Sequence, residues 1–278
     1  MPLHLPTFLT RLGSAIVFAI IMLAGLLWNE WAFLTLAALI QFLCIRDYHR
    51  LMVKINPDKY RPSWIPLTMQ LTAFLWLALT YFSKTGERNY MPVLCMFPIS
   101  IFLIAGLNKK NGWDGAQEVL SGLIYIALPM SLLVYLRMHS ILLPLALILM
   151  IWTNDTMAYL VGSFIGKTPF SSISPKKTWE GTAGGALLTM GGAALYGYFS
   201  PYYNIVDWVV IAACAAIAGT VGDLLESKLK RMANVKDSGT MMPGHGGALD
   251  RFDSLLVATP FAFAYVYVFM SPLPLVIF

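Results

Sequence analysis

Charge is scarce in this chain of 278 residues. Asp, Glu, Lys and Arg make up 12% of it against 58% hydrophobic residues, and its mean hydropathy is +0.68. A soluble domain carries roughly a quarter of its residues charged, so most side chains here are expected to sit in lipid. Cysteine is scarce too. Cys44, Cys95 and Cys214 each lie in an apolar run, without the paired spacings that bind zinc or close a small disulfide loop, and read as packing residues. The sequence has no repeat of clear period and no low-complexity linker. These lacks exclude a secreted disulfide scaffold, a disordered tail and a nucleic-acid binder. The net charge of +5 is no nucleic-acid signal, because membrane proteins collect Lys and Arg on cytoplasmic loops for topological reasons. Lipids and anions are the partners left to consider.

What is present in quantity is apolar sequence. A helix needs about 20 apolar residues to cross ~30 Å of hydrocarbon. Nine runs qualify, near residues 14–28, 31–45, 64–82, 90–107, 117–136, 140–162, 182–199, 205–222 and 255–271. Arg11 ahead of the first run resembles a signal peptide, but eight further runs follow, and an uncleaved first span is the simpler reading. The first two runs are short, and Asn29 and Glu30 between them suggest a helical hairpin. With the N-terminus in the cytoplasm, all but Lys84, Arg88 and Arg137 of the 19 Lys and Arg residues face inward, as the positive-inside rule demands. The expectation is an all-α integral membrane protein of about nine transmembrane helices, N-terminus cytoplasmic and C-terminus outside. Residues 1–138 form its N-terminal transmembrane region. Residues 139–278 form a C-terminal transmembrane region, which carries most of the acids on the inner side.

The two halves differ in the kind of charge they carry. The stretch from Arg46 to Arg61 is mainly basic and reads as an orienting loop near anionic headgroups. In the second half Asp155, Glu180, Asp223, Glu226, Asp237, Asp250 and Asp253 fall on the inner side among Lys and Arg residues. Topology alone requires only the bases, so the balance suggests chemistry. Asp155 lies inside a span, ~22 Å from its outer end at 1.5 Å per residue. An acid at such depth marks a site unless it merely closes the helix at the interface.

Two polar segments stand out. In Ser172–Gly185 two lysines, Lys176 and Lys177, follow Pro175 and precede small residues that open a helix. Their ammonium groups, the hydroxyls of Ser174 and Thr178 and free N–H groups at the helix start suit a phosphate. The alternative is a loop with two orienting lysines beside a glycine-rich packing face. In Gly222–Ser254, Asp223 and Glu226 share a helix face, as do Asp250 and Asp253. Such carboxylates suit Mg²⁺, which binds substrate phosphates at its remaining positions. Lys228, Lys230, Arg231, Lys236 and Arg251 can neutralise a polyphosphate. Gly244, Gly246 and Gly247 let the backbone turn sharply around His245, which reads either as a structural residue or as part of the site.

At these residues the chain resembles the phosphatidate cytidylyltransferase family, also called CDP-diacylglycerol synthases. The match runs through Ser227, Lys230, Arg231, Lys236, Asp237, Gly239, Pro243, His245, Gly246, Gly247, Asp250, Arg251 and Asp253, with Met242 and Ala248 departing from the usual larger or branched apolar residues. Asp155, Gly166, Lys167 and the Ser174–Gly181 segment resemble the family's second conserved region, so the likeness covers about residues 150–255. It implies transfer of CMP from CTP to phosphatidic acid, giving CDP-diacylglycerol and pyrophosphate. It also implies Mg²⁺, with a second, monovalent cation left open.

By the resemblance Asp223 and Asp250 hold the metal, with Asp253 and Asp155 supporting it. Lys176, Lys177, Lys230, Arg231 and Arg251 then bind nucleotide and leaving pyrophosphate. Lys167, Ser174, Thr178, Lys236, Gly246 and Gly247 complete the nucleotide site, and His245 joins the catalytic set. CTP, phosphatidic acid and membrane lipids are the expected partners, nucleic acid is not, and a homodimer is left open. The membrane would be the plasma (inner) membrane if the source is bacterial and an organelle membrane if not, with the catalytic region 139–278 presenting its active site to the cytoplasm. The rivals are a CTP-dependent lipid or polyprenol kinase and a membrane transporter. The full signature through Asp253 argues against the first, and the crowding of acids at one face against the second.

Overall fold

Apolar runs in lipid must satisfy their backbone groups internally, and the computed structural model of this chain is accordingly helical. It describes residues 5–58, 63–85, 96, 98–100, 112–241 and 246–270. Among these there is no sheet, and an isolated bridge pairs Pro169 with Thr178. The helices are α1 (Leu5–Leu27), α2 (Glu30–Ile55), α3 (Trp64–Thr85), α4 (Gly112–Gly122), α5 (Leu128–His139), α6 (Leu142–Ile165), α7 (Trp179–Phe199), α8 (Ile205–Ala213), α9 (Gly219–Met232) and α10 (Leu249–Phe269). Single π-helical turns, Leu123–Ala127 and Cys214–Ala218, carry α4 into α5 and α8 into α9.

Among the described residues six helical stretches are long and apolar enough to cross a membrane: Glu30–Ile55, Trp64–Ser83, Trp113–His139, Leu142–Ile165, Ile205–Met232 and Leu249–Phe269. They coincide with six of the nine runs expected from the sequence. Of the other three, 14–28 forms a shorter apolar segment, Gly13–Leu27. Run 182–199 lies on α7, a helix rich in glycine that is not among the six. Run 90–107 falls largely outside the described residues. Asn29 caps α2 at the expected hairpin, its Oδ1 accepting the Ala32 N–H at 2.7 Å.

One expectation is corrected. Arg46 to Ile55 is the last part of α2, where a basic loop was expected. Hydropathy drops after Ile45, but Cys44, Asp47, Tyr48 and Leu51 are all buried. Their spacing keeps one helical stripe inside, while Arg50 and Lys54 reach outward.

The chain divides into two compact units. The first comprises Met1–Met138 with Met232–Phe252, and the second His139–Arg231 with Asp253–Phe278. Ile45, Leu51, Met69, Leu123, Ile126 and Met130 are among the fully buried side chains of the first unit. In the second, Trp208 anchors a cluster with Ala193 and Ala212, and its indole N–H donates to the Tyr202 carbonyl at 3.0 Å. There α6 and α7 pack closely along Ala158 and Gly162 facing Gly181 and Gly185, where an added Cβ would overlap the other helix. Small residues four apart on both helices allow backbones this close in a membrane protein. The glycine-rich segment therefore does pack helices, as one of its two readings held.

Candidate active site

The second unit gathers acids where α9 turns from apolar to polar. Asp223 and Glu226 share a face of α9 as their spacing predicts. With Asp253 of α10 they form a trio whose carboxylate oxygens lie within 4.8 Å of one another. The approach depends on Gly222, because a Cβ there would collide with the main-chain carbonyl of Asp253. Two lysines offset the charge. Lys177 forms an ion pair with Asp223, and Lys230 Nζ lies 2.6 Å from Oε2 of the fully buried Glu226, one turn away on α9. With all five groups ionised the cluster keeps one negative charge in excess. Three hard oxygen donors with a residual negative charge fit a divalent cation such as Mg²⁺.

A cavity of about 460 Å³ adjoins this cluster. Asn154, Asp155, Ser174, Lys176, Lys177, Thr178, Thr220 and Asp223 are among its lining residues. Asp155 thus faces the same space as Asp223, though it stands outside the acid trio. Ser174, Lys176 and Lys177 come from the loop between α6 and α7, as the sequence placed them.

That loop is shaped by Glu180. Its carboxylate accepts the backbone N–H of Lys167 at 3.1 Å and of Thr168 at 3.1 Å, and the Thr168 hydroxyl at 2.8 Å. Its own backbone N–H, then the Thr168 hydroxyl and the two other amides, hold its pKa down to about 2.

The free N–H groups expected at the start of α7 are not available to a ligand. Trp179 N donates to the Thr168 carbonyl at 3.0 Å, Glu180 N serves its own carboxylate, and Gly181 N donates to Thr178 Oγ1 at 3.2 Å. Thr178 is therefore the helix cap. The positive charge lining this cavity comes from lysine side chains rather than from a helix terminus.

Lys236, Asp237, Gly239, Gly246, Gly247, Asp250 and Arg251 belong to the first unit. Asp250 opens α10, and its Oδ2 accepts from Ser238 N at 2.8 Å, Ser238 Oγ at 2.8 Å and Gly247 N at 2.6 Å. Gly246 adopts φ +85°, a left-handed conformation that suits only glycine beside that carboxylate. Lys236 lines a second, open cavity of about 700 Å³ with His49, Arg50 and Lys54. Arg231 at the end of α9, Arg251 on α10 and Lys167 are exposed. His245 and Pro243 lie outside the described residues.

The structure thus brings Asp223, Asp253, Lys177 and Lys230 together in the second unit, with Asp155, Lys176 and Ser174 on the adjoining cavity. Glu226 was legible as a partner of Asp223 from their spacing but was not among the residues assigned to the metal. Asp47 gave no signal at all.

The cytidylyltransferase family model matches residues 9–269. A phosphatidate cytidylyltransferase of Haemophilus influenzae is 38% identical over 138 residues, 48% of each chain, so this chain spans about half that relative's length in the match. Those of Synechocystis sp. and Bacillus subtilis are 30% and 29% identical over 94% of this chain, and 96% and 97% of their own. With a match running through both units, the chain belongs to the cytidylyltransferase family.

Proposed function

We propose that this chain transfers CMP from CTP to phosphatidic acid, releasing pyrophosphate and leaving CDP-diacylglycerol in the membrane. It is a nucleotidyltransferase of phospholipid biosynthesis. The observation that carries the reading is the acid trio Asp223, Glu226 and Asp253 beside a cavity lined by Lys176 and Lys177. An amphipathic substrate needs such a site within a membrane protein, because its tails can stay in lipid while its headgroup enters polar space.

The nucleophile is a phosphate monoester with a second pKa of ~6, so much of it is a dianion at pH 7 and no strong general base is required. The difficulty is electrostatic, since two polyanions must meet in line at the α-phosphorus of CTP. Phosphoryl-type transfer is largely positioning plus charge stabilisation. Lys176 and Lys177 reach the cavity from one side and lower the repulsion between the phosphates. Lys230, held by Glu226, adds positive charge at the acid trio. Ser174 can donate its hydroxyl to a phosphate oxygen. Arg231, Arg251, Lys167, Lys236, Gly246 and Gly247 keep the nucleotide-binding roles that the resemblance implies.

Asp223, Glu226 and Asp253 would hold Mg²⁺, while Asp250 is retained as a ligand, and Asp155 as a supporting acid, by resemblance alone. When bound, the ion supplies positive charge against the phosphate oxygens that gain negative charge. The positive-inside bias supports a site facing the cytoplasm, and the bacterial origin of the similar proteins supports an inner membrane.

The test is to incubate the purified protein in detergent with phosphatidic acid, Mg²⁺ and CTP labelled at the α-phosphorus. Liponucleotide and pyrophosphate should form in equal amounts. Release of CDP with no labelled lipid would replace this reading by a CTP-dependent kinase.

A further inference from the structure

Asp47 is a fully buried carboxylate near the inner end of α2, where the sequence offered only an orienting loop. Burying a charge is unfavourable unless its oxygens are matched, and here each oxygen has a set of partners. Oδ2 accepts the N–H of Ala248, the residue just before α10, at 2.7 Å. Oδ1 faces Arg46 Nη2 at 3.5 Å and Arg50 Nη1 at 3.8 Å. Two glycines of the signature close over the same carboxylate. A Cβ on Gly239 would stand 2.7 Å from Oδ1, and one on Gly247 would stand 2.5 Å from Oδ2. Asp47 therefore sits where a helix of the N-terminal region, the signature loop at Gly239 and the start of α10 meet, all within the first unit.

We propose that Asp47 is a positioning residue for the transfer reaction, clamping the signature segments around Gly239 and Gly247 at the start of α10. Four observations converge on this. A negative charge at a helix N-terminus complements the helix dipole, which explains a carboxylate at this point. The two arginines on its own helix, Arg46 and Arg50, face Oδ1, the oxygen that does not accept the Ala248 N–H. The second carboxylate bracing the segment, Asp250, ties Ser238 to Gly247, so the two acids hold both sides of the loop. Glycine is required at 239 because Asp47 fills the space where its Cβ would be. The segments so held carry Lys236, Gly246 and Gly247, to which nucleotide binding is assigned, so Asp47 acts through them without touching substrate.

This inference rests on the proposed reaction, and the parent enzyme must first show it; a parent forming no liponucleotide would count against that reading alone. The test compares Asp47→Asn, Asp47→Ala, Gly239→Ala and the double variant Asp47→Ala with Gly239→Ala, each monodisperse in detergent. Asp47→Asn should lower kcat/KM for CTP at least ~10-fold, the order expected when binding groups shift by a fraction of an ångström. The KM for phosphatidic acid should stay within about threefold of the parent's, because the clamp acts on the nucleotide side.

Gly239→Ala should show the same defect, and in the Asp47→Ala background it should add nothing, since the clashing carboxylate is gone. A purely structural role would reduce the yield of folded protein and leave this split between substrates untouched. Parental kinetics in folded Asp47→Asn, or equal damage to both KM values, overturns the proposal. Should Asp47→Asn not fold, Gly239→Ala decides, and its retention of parental kinetics is then the overturning result.

Discussion

Gly222 of α9 lies against the main-chain carbonyl of Asp253, and that contact brings two carboxylates, Asp223 and Asp253, into one cluster. A methyl group at 222 must push α10 away or shift α9. Overpacking of this kind costs about 1–3 kcal/mol, so Gly222→Ala should lower the melting temperature. It should also lower kcat at least ~10-fold by separating the acids. Melting curves and CDP-diacylglycerol formation by the same preparation check both outcomes.

Glu180 gives a prediction with a defined pH window. Its pKa is depressed from 4.5 to about 2 in the folded protein, so it contributes stability that is fully present above ~4.5. That stability fades as pH falls and is gone below ~2. Glu180→Gln should therefore melt earlier than the parent at pH 7, with a constant gap down to pH 5. The gap should then narrow steadily toward pH 3. A gap that stays constant down to pH 3 would show that the carboxylate's charge does not hold the Lys167–Thr168 turn.

Much of this was legible because it is local. Asp223 and Glu226 are three residues apart on one helix, and that periodicity survives in any fold. The lysines at 176 and 177 stand in a short loop next to a small-residue helix, so their location followed from the sequence around them. Asp47 was illegible for the opposite reason: its partner Ala248 is 201 residues away, and its own neighbours Arg46 and Arg50 made it read as part of a basic loop. Hydropathy also hid the end of α2, because an amphipathic helix leaving the membrane keeps its buried stripe after its mean hydropathy has fallen. The capping of α7 was hidden too. That Thr178 and Glu180 use up the helix's first amides is a matter of side-chain geometry that residue types alone leave open.

The proposed orientation rests on the bias of Lys and Arg, and labelling can test it. In a background stripped of Cys44, Cys95 and Cys214, single cysteines at Lys54, Lys236 and Lys84 should react differently with an impermeant thiol reagent on intact cells. The thiol at 84 should react, and those at 54 and 236 should react only after permeabilisation. The reverse pattern would put the acid trio on the outer face, away from cytoplasmic CTP.

Lys177 and Asp223 form an ion pair in which both side chains are about 30% exposed, which makes opposite predictions for the two partners. Pairs this exposed contribute only ~0–1 kcal/mol to stability, so Asp223→Asn should melt near the parent's temperature in EDTA. Mg²⁺ should raise the parent's melting temperature, because a ligand that binds only the folded state stabilises it. Asp223→Asn should lose most of that rise, and its kcat should fall at least ~10²-fold if the metal stabilises several kcal/mol of developing charge. Lys177→Ala removes the positive charge that competes with the cation for Asp223. It should therefore show the Mg²⁺-dependent rise at lower Mg²⁺ concentration, while its KM for CTP increases because a phosphate-facing ammonium is lost. The pair thus separates metal binding from nucleotide binding on one carboxylate and one lysine. An Asp223→Asn protein with the parent's Mg²⁺ response would remove Asp223 from the metal site, whatever its activity.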